Sequence, residues 1–367
     1  MAETLPPAPP RICSYRDAVR EALELAMARD ERVIVLGEGV TDPKAIFGTT
    51  EGLLQRHGPR RVLEMPVSEN GFTGMAVGAA TLGLRPVIIH QRVDFSLYSL
   101  DQIINNAAKW HYMYGGRGGT VPLVIRMLVG RGWGQGAQHA QSLEALFAHI
   151  PGLKVVMPAT AGDAKGLMLA AIEDPNPVIW LEHRWLHGTT GVVPEGWYTA
   201  PLSGGRVRRE GRDVTVVATG HMVVESLRAA LALEQAGVGV TVIDQAVLRP
   251  LDITAARAAL RATGRLLTVD SGWMTGNLGG EIVARLVETD FSSFLAPPRR
   301  LGMADHPSPA TRALIADYQP TPWSIAQAAG ELAGLAAPRL EAVVNALRAE
   351  RAHLPVDAPD SAFIGPF

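Results

Sequence analysis

The sequence predicts an α/β protein of two consecutive domains, each a mostly parallel sheet with helices on both faces. Short continuous apolar runs, the mark of strands covered on both sides, alternate with helix-period segments. The alternation lapses once, over residues 188–212, and then resumes. The chain has 367 residues, 47% hydrophobic and 19% charged, enough for two cores and too apolar for a disordered polypeptide.

Residues 1–13 open with MAETLPPAPP, which holds four prolines and no apolar run, and read as a flexible leader rather than a signal peptide. Ser14 is placed to cap a first helix, with Asp17 three residues on and Ala18, Val19, Ala22, Leu23 and Ala26 on one face. Strands are expected at 33–36, 62–65, 86–89, 123–125, 154–157 and 178–181. Between them fall helical patterns at 71–82, 99–109, 142–149 and 161–173, the last capped by Thr160. This first domain spans 14–187. Residues 188–212, rich in glycine and proline and ending in a charged run, read as a linker. A smaller domain follows over 213–335, with strands at 214–218, 238–243, 266–269 and 299–302 and helices at 222–235, 253–261, 280–289 and 323–333. Within 336–367, residues 338–350 suit an added amphipathic helix. The tail either lies free or docks on a neighbour, and Phe363, Ile364 and Phe367 favour docking.

Several function classes are excluded. The formal net charge is −2 and no run of five basic residues occurs, which argues against a nucleic-acid partner. Cys13 is the only cysteine, so there is no intramolecular disulfide and no cysteine metal cluster, and the composition suits a reducing cytoplasm. The most apolar stretch, 71–89, is broken by glycines, Arg85 and Pro86 and does not read as a membrane span. No G-x-x-x-x-G-K-[ST], G-x-S-x-G or H-E-x-x-H is present. Nor is there a Gly-Asp-Gly with a downstream Asn, the magnesium-diphosphate signature of thiamine enzymes; Gly162-Asp163-Ala164 reads as a first helical turn.

Three stretches carry candidate chemistry. Glu69 follows a strand and precedes a helix containing Gly71, Gly74 and Gly78, at the carboxyl edge where open parallel sheets bind ligands. Such a carboxylate either stabilises the helix N-terminus or performs proton chemistry. The closely spaced glycines permit near approach of another helix or chain. Gln91-Arg92-Val93-Asp94-Phe95 places a base, an acid and an aromatic at the same edge, with Phe95 either core or a stacking platform. His139 closes a run with four glycines in seven residues, either as a structural residue or as an acid/base.

Together these residues resemble the beta subunit of the decarboxylating component of 2-oxo acid dehydrogenase complexes, the pyruvate, branched-chain and acetoin family. The resemblance runs from about Ser14 to Leu335 through ordered blocks: P-V-S-E-x-G-F-x-G-x-A-V-G-A-A, G-L-R-P, F-S-x-x-x-x-D-Q-I-I-N, Q-H-x-Q, P-G-L-K-V-V-M-P, D-A-K-G-L-M-L-A-A-I-E-D-P-N-P-V, L-R-P-L-D and V-D-S-G-W. It implies a transketolase-like pyrimidine-binding domain followed by a transketolase C-terminal-type domain, with thiamine diphosphate as cofactor. It implies that Glu69 hydrogen-bonds and activates the aminopyrimidine ring, that Phe95 packs on that ring, and that Glu38 lies near the same pocket. His139 is implied to serve the substrate or the incoming lipoyl group. Leu123, Ala171, Ile172, Asp174 and Asn176 are implied to surround a structural potassium ion, largely through backbone oxygens. In this family the alpha subunit supplies the magnesium-diphosphate motif, which accounts for its absence here. The implied assembly is an alpha2beta2 heterotetramer with beta–beta contacts through the smaller domain and a lipoyl acyltransferase as further partner.

The chain departs from the family at His90, Gln91, Arg92 and Asp94, where the family carries Glu and apolar residues, and at Trp133 and the tail. Arg92 is placed to meet a substrate carboxylate or phosphate, or to pair with Asp94. These polar residues leave a second reading, a subunit of a split transketolase-like ketol or acyl transferase.

Overall fold

In the computed structural model, which describes residues 10–130, 134–316 and 318–354, the alternating pattern becomes two sheets flanked by helices. The strands of the first half are β1 (Ile12–Ser14), β2 (Val33–Gly37), β3 (Val62–Glu64), β4 (Arg85–His90), β5 (Val124–Val129), β6 (Lys154–Val156), β7 (Val178–His183) and β8 (Thr190–Val192). Those of the second are β9 (Arg206–Arg209), β10 (Val214–Ala218), β11 (Val240–Asp244), β12 (Val247–Arg249), β13 (Leu266–Trp273) and β14 (Arg299–Met303). One sheet runs β12-β6-β7-β5-β4-β2-β3 and the other β14-β13-β10-β11-β9. Only β12 and β9, each at a sheet edge, pair antiparallel within them. The expected α/β architecture is present.

The strands form where apolar runs can be buried on both faces: every residue of β2, β5, β7 and β10 is buried. Strand β5 runs beyond the expected 123–125 because its interrupting charge is neutralised. Arg126 is fully buried, lies 2.5 Å from Glu182 on neighbouring β7, and donates to Thr49 Oγ1 at 2.7 Å. Removing one member of such a pair strands a buried charge, at a cost of about 3–5 kcal/mol.

The longer helices of the first half are α1 (Tyr15–Arg29), α2 (Glu69–Thr81), α3 (Glu144–His149) and α4 (Ala161–Glu173). Ser14 caps α1 by accepting the Asp17 N–H at 3.1 Å, and Thr160 caps α4 by accepting that of Asp163 at 3.2 Å. Each cap is worth about 1 kcal/mol. Helices α1 and α4 cover one sheet face with Ala18, Ala22, Leu167 and Met168 in the shared core. Gly166 of α4 has no room for a side chain, since a Cβ would lie 2.9 Å from the Tyr198 ring.

The second half adds α5 (His221–Gln235), α6 (Thr254–Thr263), α7 (Leu278–Asp290), α8 (Pro322–Leu332) and α9 (Ala337–Arg351). The added helix is α9, which buries Leu340, Val343, Val344 and Leu347 against α5 and α8 and ties Arg351 to Glu225 at 2.9 Å.

Three further features differ from the sequence expectation. The segment 188–212 contains β8, which pairs with β1, and β9, which extends the second sheet. Strand β12 reaches back to the edge of the first sheet, and one core cluster takes in Ile125, Met157, Val217, Ile243 and Leu266 from both halves. Over 99–109, the chain forms a 3-10 turn at Phe95–Ser99 and a π-helical turn at Asp101–Ala107 instead of a regular helix. Residues 1–9 of the leader, Trp133 and residues 355–367 of the tail lie outside the described residues.

Candidate active site

The carboxyl edge of the first sheet gathers the candidate residues. Glu69 is the first residue of α2, and Ser68 before it makes no side-chain capping bond. The Glu69 side chain is nearly enclosed, at 8% exposure, and has no hydrogen-bond or ion-pair partner among the described residues. Glu38 follows the last residue of β2, and its buried Oε1 likewise lacks a hydrogen-bond partner. Burial first, then the negative charges of Glu69 and Glu64, push the Glu38 carboxyl up to about 6. Glu38 thus feels the Glu69 charge, and two acids without hydrogen-bond partners are poised to receive a hydrogen-bonding group.

The Glu38 turn is held from neighbouring strands. Glu64 sits opposite Gly37 in the parallel ladder, and its carboxylate accepts the Gly39 N–H at 2.5 Å, the Thr41 N–H at 3.0 Å and the Thr41 hydroxyl at 2.8 Å. Gln91 donates to the Glu38 carbonyl at 2.9 Å. Glu64 carried no motif in the sequence, its strand-end position being the only signal, whereas Gln91 opened the second candidate stretch.

Beyond β4 the chain turns through Arg92, Asp94 and Phe95. Phe95 meets His139. Arg92 is buried, at 5% exposure, and burial pushes its guanidinium down to about 10 against the opposing pull of Asp94. It makes no ion pair with Asp94; it donates to the Gly130 carbonyl at 3.2 Å and to Gln135 Oε1 at 2.5 Å. Asp94 Oδ1 instead accepts Gln141 Nε2 at 2.8 Å and the Gln141 N–H at 3.4 Å. His90, at the end of β4, is buried beside the Phe72 ring of α2 at 5.3 Å, and neither of its ring nitrogens is hydrogen-bonded. Burial pushes its imidazole down to about 3, so it is neutral.

Leu123, Ala171, Ile172, Asp174 and Asn176 lie at the opposite edge, where α4 ends and β5 and β7 begin. The Leu123 carbonyl accepts the Val178 N–H at 2.9 Å. Arg85 donates to the Ile172 carbonyl at 2.7 Å and the Asp174 carbonyl at 3.4 Å, and Lys154 pairs with the Asp174 carboxylate. The Asn176 N–H reaches Asp174 Oδ1 at 2.9 Å. Arg85 and Lys154 thus place two cationic side chains on this group of oxygens. Among the described residues no group of three His, Cys, Asp or Glu is placed to hold a metal, and no helix is long and apolar enough to cross a membrane.

A family profile described as the transketolase pyrimidine-binding domain matches residues 12–188, and one described as the transketolase C-terminal domain matches 203–325. Fold and site thus define a transketolase-type pair of domains. Over 336 residues the chain is 40% identical to the acetoin:2,6-dichlorophenolindophenol oxidoreductase subunit beta of Bacillus subtilis (strain 168), a match covering 88% of this chain and 98% of that one. It is 39% identical over 339 residues to the mitochondrial pyruvate dehydrogenase E1 component subunit beta of Pisum sativum, covering 91% and 89%. A solved split-gene transketolase, an inactive beta4 tetramer, superposes with a TM-score of 0.69 at 25% identity, covering 88% and 98%. The chain belongs to the family of E1 beta subunits of the pyruvate and acetoin dehydrogenases. Membership implies a thiamine-diphosphate-dependent enzyme whose beta chain works with an alpha chain in an oligomer.

Proposed function

We propose that the chain is the beta half of a 2-oxo acid dehydrogenase that decarboxylates a 2-oxo acid and passes the acyl group to a lipoyl carrier. The observation that carries this reading is the Glu69 carboxylate, without a hydrogen-bond or ion-pair partner among the described residues and with its charge felt by Glu38, at the carboxyl edge of a transketolase-type sheet. Thiamine diphosphate supplies the carbon nucleophile and the electron sink that decarboxylation needs. Glu69 would hold a proton at the ring nitrogen of the aminopyrimidine, Glu38 would add a second carboxyl to the same pocket, and Phe95 would serve as the aromatic surface for the ring. His139 gives and takes protons at the substrate or lipoyl group.

Magnesium and the diphosphate are held mainly by the alpha partner. The outer face of α2 supports a chain-to-chain site: Gly71 and Gly78 are exposed there, with Met75 51% and Leu82 88% exposed. The assembly is read as an alpha2beta2 heterotetramer with beta–beta contacts, served by a lipoyl acyltransferase, in the cytoplasm. Potassium is assigned to the carbonyls of Leu123, Ala171, Ile172, Asp174 and Asn176. Because half the cofactor site lies elsewhere, the isolated chain binds magnesium thiamine diphosphate poorly in titration calorimetry, and adding the alpha chain restores binding. Tight magnesium-dependent binding by the chain alone overturns the split site.

A further inference from the structure

We infer that Arg92 and Asp94 act together as positioning residues that fix the turn presenting His139; the inference rests on the reading of His139 given above. Their bonds bracket the histidine along the chain. Arg92 takes the Gly130 carbonyl and the Gln135 side chain before it, and Asp94 takes the main chain and side chain of Gln141 after it. Phe95, the next residue, touches the imidazole itself. One short run, Arg92-Val93-Asp94-Phe95, thus makes three separate attachments to one stretch of chain.

That stretch needs them. Gly134 and Gly136 hold φ values of 67° and 73°, and glycine backbones keep little conformational preference of their own. On its far side the stretch is pressed against the second half of the molecule, where a Cβ on Gly134 would lie 2.6 Å from the Ala310 carbonyl oxygen. The hydrogen-bond partners of the Arg92 guanidinium belong to this stretch and none is a carboxylate, which sets it apart from a guanidinium paired with its neighbouring acid. Side chains that lock a reacting group hold it within the few tenths of an ångström that proton transfer requires.

The test uses the complex with the alpha partner. Hydrogen exchange of residues 134–141 and steady-state kinetics are measured for Arg92→Met, Arg92→Lys, Asp94→Ala and Asp94→Asn. Arg92→Met and Asp94→Ala are expected to speed exchange by about tenfold and to lower kcat by about tenfold, with KM changed by no more than about twofold. Asp94→Asn keeps an acceptor oxygen for Gln141 and restores both quantities, so the result does not depend on a variant that misfolds. In a His139→Ala background Arg92→Met has no further effect on kcat, because its effect passes through the histidine. Unchanged exchange in the folded variants overturns the inference. So does a rise in KM at unchanged kcat, which marks Arg92 as a direct ligand of a substrate anion. Faster exchange with unaltered kcat upholds the clamp and instead sinks the catalytic reading of His139.

Discussion

The ring of Phe95 meets the imidazole of His139 edge-on, with centroids 5.1 Å apart and planes at 89°. Residues 44 positions apart in sequence are thereby coupled, one read as the platform for the cofactor ring and the other as the proton carrier for substrate. An edge-to-face pair adds about 0.5–1.5 kcal/mol beyond its buried area.

Phe95→Leu keeps an apolar side chain but removes this contact. The expected outcome is a kcat reduced by about tenfold and a stability loss of about 1 kcal/mol. Steady-state kinetics and denaturant unfolding of the same preparation check both; unchanged kcat would place Phe95 in the core and not in the site.

His90 makes the fold sensitive to acid. Its folded-state value is pushed down to about 3 by burial, from an ordinary 6.5, so the unfolded chain takes up the proton first. Stability is therefore present above the ordinary value and lost as pH falls below it. Between about pH 7 and about pH 5 the wild type should lose about 2 kcal/mol more than His90→Leu. Urea unfolding at the two pH values measures the difference, and parallel losses would contradict the assignment.

Asp270 acts in the opposite sense. It is buried on β13, and burial, then the charge of Glu144, push it up to about 7 from 3.8. The folded state holds the proton that the unfolded state gives up, so stability is full below the ordinary value and is lost as pH rises through about 7. Asp270→Asn keeps an acceptor for the Gly279 N–H, which Asp270 accepts at 2.9 Å. Relative to wild type this variant should gain about 2 kcal/mol between about pH 5 and about pH 7.5. A constant difference across that range would show that Asp270 does not titrate there.

How much was legible in the sequence depended on how local the cause was. Strands β2, β7 and β10 were readable because each is an unbroken apolar run, and the caps Ser14 and Thr160 because a cap acts over three residues. The end of β5 was not, because the acid that neutralises Arg126 lies 56 residues away at Glu182. Strand β12 is three residues long and pairs with β6 of the other half, so no pattern within it announces a strand. In the site, Glu69 could be picked out because it stands between a strand and a glycine-rich helix. The influence of the Glu69 charge on Glu38, the Phe95–His139 contact and the bond from Gln141 to Asp94 depend on which strands lie side by side. For Arg92 the sequence offered a substrate anion or Asp94, and its bonds in the structure go to Gly130 and Gln135.

The central claim is that Glu69 activates a thiamine diphosphate shared with an alpha chain. It is tested most directly by comparing wild type and Glu69→Gln, each co-expressed with the alpha partner, for decarboxylation of a panel of 2-oxo acids with ferricyanide as electron acceptor. Wild-type turnover is expected to require both chains and the cofactor, and the Glu69→Gln complex is expected to assemble and unfold like wild type but to be inactive. Normal turnover by Glu69→Gln would contradict it, and a cofactor-loaded wild-type complex silent on every 2-oxo acid would favour the split ketol or acyl transferase.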